Sequence, residues 1–144
     1  MSSTKNPHTA GVIDRARAGQ VSLGALRVAD RIEHLKKLRE AILARSEEII
    51  DRVQAETGKS RSDILMSEIF GTLDSIAWLE ANAESALADE KIATPMTMMG
   101  KKSRIWYQPR GVILIIAPWN YPFFQAIMPI AQALVAGNAV VHKP

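Results

Sequence analysis

Pro118-Trp119-Asn120, and the run from Ala136-Gly137-Asn138 to Lys143-Pro144, hold residues whose types could do chemistry together. Asn120 offers a neutral amide, Trp119 a flat ring and Lys143 a cation, so a shared edge would suit ligand binding. Gly58-Lys59-Ser60 resembles the end of a phosphate-binding loop, but that loop needs a glycine where Val53 stands and a strand where a helical pattern stands. We read it as a helix stop. His34 lies in a charged helix with no partner at ligand spacing and reads as a solvated side chain; no metal site is expected. The absence of cysteine excludes disulfides, thiolate metal sites and a cysteine nucleophile within these residues.

The elements that must position these residues can be read from the uncharged span Gly111 to Val141. Val112 to Ala117 is apolar at every position, which predicts a strand covered on both faces, as in a parallel sheet. Tyr121 to Ala136 has room for about four helical turns, with Pro122 suited to the first helical position and Gly137 to a left-handed stop. Ala139 to His142 reads as a returning strand. The unit is β-α-β, and it puts Pro118, Trp119, Asn120 and Lys143 at the carboxyl edge where open α/β sheets bind ligands.

The span is long enough to cross a bilayer, but Pro118, Pro122, Pro129 and the Gly137-Asn138 break would leave backbone groups unsatisfied in lipid. The soluble unit is favoured and no membrane span is expected. With 144 residues, 47% hydrophobic and 23% charged, the chain has the composition of one globular domain. A net charge of +3, spread among acids, implies no nucleic-acid partner. MSSTKNPHT lacks the apolar stretch of a secretory signal, which makes the cytoplasm the default location.

Before the uncharged span the chain reads as helical. Residues 1–9 are expected to be frayed, with a short helix over Gly11 to Ala18 that stops near Gly19, and Ser22 as the next cap. Val28, Ile32, Leu35, Leu38 and Ile42 recur at helical spacing, with Arg31, Glu33, Lys36, Lys37 and Glu40 on the outer face. Ser46 starts another helix that ends at Gly58. Ser60 with Asp63 forms a capping box for a long helix through Ile69, Leu73, Ile76, Leu79, Ala83 and Leu87, in which Trp78 is expected to pack. Ile105-Trp106-Tyr107 reads as a strand stopped by Pro109, and Lys101, Lys102, Arg104 and Arg110 as a solvated edge.

GVILIIAPWNYPF followed by ALVAGNAVVHKP, with AETGKS upstream, resembles the aldehyde dehydrogenase superfamily over residues 20–144. The resemblance implies NAD- or NADP-dependent oxidation of an aldehyde to a carboxylic acid by way of a cysteine thiolate. Asn120 matches the family asparagine whose amide holds the oxyanion, a place where a preorganised neutral donor acts as charge develops. Lys143 matches the lysine that bonds the adenosine ribose, and Ala117, Pro118 and Trp119 match the turn against which the cofactor lies. Homo-oligomers are implied for the complete enzyme. Taken singly, Asn120 could bond backbone in its turn, Trp119 could be core and Lys143 a surface lysine. Only the joint pattern favours the functional reading.

The match covers the front of the family's pattern and lacks the catalytic cysteine. The expected architecture is therefore an α/β domain, incomplete, with an N-terminal helical layer leading into the first βαβ unit of an open parallel-sheet cofactor domain. Its parts are a flexible arm over 1–19, a helical segment over 20–88, a linker and edge strand over 89–110, and the start of the NAD(P)-binding unit over 111–144. These residues alone are expected to be poorly soluble and not to oxidise aldehydes. The alternative is a non-catalytic product that pairs with a full-length relative as an interaction module.

Overall fold

The computed structural model describes residues 7–144, with side chains from Gly11 onward; of the frayed start expected over residues 1–9, residues 1–6 lie outside them and residues 7–9 are helical instead. Helix α1 (Pro7–Ala25) runs through Gly19 and Ser22, where a stop and a cap were expected. A glycine within a helix costs only about 1 kcal/mol against alanine, and contact with the β-strands that follow outweighs it. The break falls instead before α2 (Val28–Ala44), where Arg27 binds Asp30 through two hydrogen bonds of 2.9 and 2.7 Å.

Helix α2 turns Ile32, Leu35 and Ile42 inward as its periodicity predicts. Arg31 departs from the expected outer face. It is buried, with its guanidinium against Gly137 and Pro109, because a residue one step from an apolar stripe can lay its long stem along that stripe. Helix α3 (Ser46–Thr57) begins at Ser46 with Glu47 and Glu48 in its first turn, and ends at Gly58, which adopts the left-handed φ of 71°.

The Ser60 hydroxyl accepts the Asp63 N–H and opens α4 (Arg61–Ile64). The helix continues through a π-helical turn, Leu65–Phe70, into α5 (Gly71–Ala86). The wide turn has a packing reason. Ile64 and Ile69 are both buried beside Ile50 and Val53 of α3, and their five-residue spacing shares a face only where hydrogen bonds skip five residues. Beyond it, Ile76, Leu79 and Ala83 return to α-helical spacing and pack against α2 and against Ala131 and Val135 of the last helix. Trp78, expected to pack, is 58% exposed because it lies beside Leu79 on the outer flank of that stripe.

A small antiparallel hairpin follows, β1 (Glu90–Ile92) with β2 (Ser103–Ile105), and Glu90 stands opposite Ile105. The expected strand over residues 105–107 therefore ends at Ile105. Trp106 and Tyr107 lie outside it, and Lys101, Lys102, Arg104 and Arg110 are exposed as anticipated.

Strand β3 (Val112–Ile116), helix α6 (Phe124–Val135) and strand β4 (Ala139–Lys143) form the β-α-β unit, and the two strands pair in parallel from Val112↔Ala139 to Ile116↔Lys143. Helix α6 starts at Phe124, after a turn that contains Pro122, rather than at Pro122 itself. It ends in a Schellman arrangement: the Gly137 N–H bonds Leu134 O and the Asn138 N–H bonds Ala133 O, with Gly137 at φ 86°. The buried Asn138 then accepts the Gly111 N–H at 3.0 Å through Oδ1 and donates to Ala133 O at 3.3 Å, which ties the start of β3 to the end of α6. Helices α1 and α6 both touch the strands, yet Leu114 and Ile116 are 61% and 64% exposed. The expected cover on both faces is missing from that row. The result is the anticipated incomplete α/β arrangement, a helical layer beside one parallel pair.

Candidate functional site at the carboxyl edge of the parallel pair

The two strands end side by side, and the Ala117 N–H donates to Lys143 O at 3.2 Å, which extends the ladder by one bond beyond the sheet. This bond brings the start of the Pro118–Tyr121 turn against the end of β4. Ala117, Pro118, Trp119 and His142 line a cleft of about 490 Å³, closed on its other side by Glu56 and Thr57 at the end of α3. A second cleft of about 290 Å³ shares Glu56, Pro122 and Pro144 with the first and adds Arg52 and Phe123.

Three of the five residues singled out in the sequence, Ala117, Pro118 and Trp119, thus share one wall, with the Trp119 ring 83% exposed. Asn120 and Lys143 are exposed neighbours of lining residues but are not part of the lining. Among the described residues the Asn120 side chain makes no hydrogen bond, so it does not staple its own turn. Thr57 is occupied locally, donating to Val53 O at 2.6 Å.

Beneath the turn lies a group that the sequence reading missed. Glu68, in the π-helical turn, is 0% exposed. Its Oε2 accepts the Phe123 and Phe124 N–H groups at 3.1 and 2.9 Å, at the start of α6, where the helix dipole favours an anion. Its Oε1 accepts from Lys59 Nζ at 3.2 Å, and the same ammonium stands 3.4 Å from the centre of the Tyr121 ring. The available signal was spacing, since Glu68 stands four residues from both Ile64 and Thr72, in the buried phase of the helix. His142 is a second missed member, because its place at a strand end gave no sign that it faces a cleft.

The edge sets a flat ring against an open cleft, with an exposed amide and a strand-end lysine on residues adjoining the lining, an arrangement able to hold a polar ligand by its edges. Among the described residues no helix is long and apolar enough to cross a membrane.

A family model described as the aldehyde dehydrogenase family matches residues 2–144. The chain is 32% identical over 133 residues to 4,4'-diapolycopene aldehyde oxidase of a Methylomonas species, a match over 92% of this chain and 25% of that protein. It is 34% identical over 117 residues to 4,4'-diaponeurosporen-aldehyde dehydrogenase of Staphylococcus aureus, over 81% of this chain and 26% of the relative. The substrate-bound structure of Staphylococcus aureus AldH superposes with a TM-score of 0.88 at 31% identity, over 96% of this chain and 30% of that one. The chain spans about a quarter of the length of the curated relatives it matches.

Proposed function

The chain belongs to the aldehyde dehydrogenase family, and from that premise we infer that it serves the oxidation of an aldehyde to a carboxylic acid with NAD or NADP. The observation that carries the reading is the Asn120 amide, exposed and unbonded among the described residues, on the turn that closes the carboxyl end of β3. A donor held there without a partner of its own is ready for an oxygen that gains charge only as the reaction proceeds. The nucleophile is not among these residues, because they contain no cysteine. The chain's contribution is thus the oxyanion donor and one wall of the cofactor site, in a cytoplasmic protein that oligomerises when complete.

We read the cleft as the place for one end of a dinucleotide. Its wall of Ala117, Pro118 and Trp119 offers a flat apolar surface with room of about 490 Å³ in front of it. Lys143 would bond ribose hydroxyls, and the Trp119 ring would cover a sugar or base face. The nicotinamide group, when bound, supplies the hydride acceptor. Asn120 bonds the substrate oxygen from the exposed turn that carries it.

The test uses the protein that carries these residues as isolated from its source cells, assayed for NAD(P) reduction with a panel of aldehydes. Asn120→Ala is expected to lower kcat by about a hundred- to a thousandfold while leaving cofactor affinity in place. Full kcat in that variant would remove the oxyanion role.

A second reading, association with a full-length relative, is favoured by the exposed Leu114 and Ile116 row. Co-purification at a fixed stoichiometry would support it.

A further inference from the structure

Glu68 is a buried carboxylate with no part in the reading above, and burying such a charge is costly unless it is fully partnered. An apolar side chain of similar size would fill the same space without that penalty, so its partners point to a geometric task. All of them converge on one segment. Phe123 and Phe124, which donate their N–H groups to it, come three and four residues after Asn120, and the Lys59 ammonium that it holds lies over the ring of Tyr121, the next residue after Asn120.

We propose that the Lys59–Glu68 pair is a positioning clamp that fixes the Pro118–Tyr121 turn, and with it the Asn120 amide, for the reacting oxygen. The turn needs such a device, because Pro118, Trp119 and Asn120 are exposed and packing does not hold them. Its first end is tied by the Ala117 to Lys143 backbone bond of 3.2 Å. Its far end is tied where α6 begins, by the Gln125 N–H to Tyr121 O bond of 3.0 Å, and Glu68 holds that point through two charge-assisted bonds. The carboxylate reaches this point from a π-helical turn, a local widening of the helix that often marks a functional position. Thr72 Oγ1, bonded to Glu68 O, steadies the widened backbone from within. Glu68 acts through Asn120 and touches neither substrate nor cofactor.

The inference rests on the oxyanion reading of Asn120, and a double-mutant cycle separates the two. In the protein as isolated from its source cells, kcat and KM are measured for Glu68→Gln, Asn120→Ala and the double variant. Ile76→Val, a buried change away from the turn, serves as the stability control. Hydrogen exchange is followed at the Phe123 and Phe124 amides.

Glu68→Gln is expected to lower kcat by about tenfold to a hundredfold, to raise exchange at those two amides and to leave cofactor KM near its original value. The kcat loss is expected to vanish in the Asn120→Ala background. Full kcat in Glu68→Gln, a loss that multiplies unchanged onto Asn120→Ala, or an equal loss in Ile76→Val would overturn the positioning role alone. Full kcat in Asn120→Ala would overturn the oxyanion reading and this inference with it. Should Glu68→Gln not accumulate as folded protein, Lys59→Met tests the clamp from its other end in the same cycle.

Discussion

Gly137 holds φ at 86°, and a Cβ there would overlap Arg31 Nη1 and lie 2.9 Å from Pro109 Cγ. Gly100 has nearly the same φ, 82°, with nothing near its missing Cβ. Gly100→Ala therefore carries only the left-handed cost, about 1 kcal/mol, whereas Gly137→Ala adds overpacking and is expected to lose roughly 3 kcal/mol or more. Urea unfolding of the two variants reads the difference, and equal losses would mean that the Arg31 contact yields freely. Gly137 and Asn138 were legible in the sequence, since an Ala-Gly-Asn break after an apolar helix has one common backbone solution. Arg31 and Glu68 were not. A charged residue on or beside an apolar stripe is ordinarily turned outward, and what holds these two inside comes from segments far along the chain. The same limit kept His142 hidden, while the Pro118–Asn120 turn could be placed because the strand before it and the helix after it were both plain.

Among the elements, the β-α-β unit was the most readable, because its apolar runs and its stops fall at different residues. The hairpin was the least. Glu90–Ile92 has three residues, all exposed, and so offers no alternation to detect. Its pairing is reinforced from outside the ladder, where Tyr107 Oη donates to Glu90 Oε1 at 2.6 Å. That bond, more than the carboxylate's charge or burial, raises the Tyr107 phenol above its ordinary value. A group raised in the folded state contributes stability fully below its unfolded pKa, about 10 for a phenol, and loses it as pH rises through the folded value. The hairpin should thus be indifferent to pH near neutrality and loosen only in alkali. In a 295 nm absorbance titration, with Tyr107→Phe to isolate the signal, Glu90→Gln is expected to bring ionisation back toward the ordinary phenol value. A curve unmoved by Glu90→Gln would show that the bond does not persist in solution.

For the molecule as a whole, the helical layer buries its core well, while the parallel pair has one strand beside the other and a row of Leu114 and Ile116 facing outward. Such rows seek cover, and at about 25 cal/mol per Å² they reward almost any apolar partner. The 144-residue chain on its own is expected to associate in solution, and Leu114→Lys with Ile116→Lys to return it toward monomer by sedimentation or light scattering. Association unchanged by the pair would move the contact to another surface.

The π-helical turn between Ile64 and Gly71 has a consequence for how this scaffold tolerates editing. It works as a phase adjuster between two cores. Upstream, Ile64 and Ile69 answer to α3, and downstream Ile76 and Leu79 answer to α2 and α6. Removing a single residue there, such as exposed Met66, would bring Ile64 and Ile69 to a four-residue spacing, which shares a face at the ordinary pitch, so both cores would keep their partners and only the widened turn would be lost. A one-residue deletion at this turn should therefore be better tolerated than the same deletion within α5, where it would rotate one core against the other by about a quarter of a turn or more.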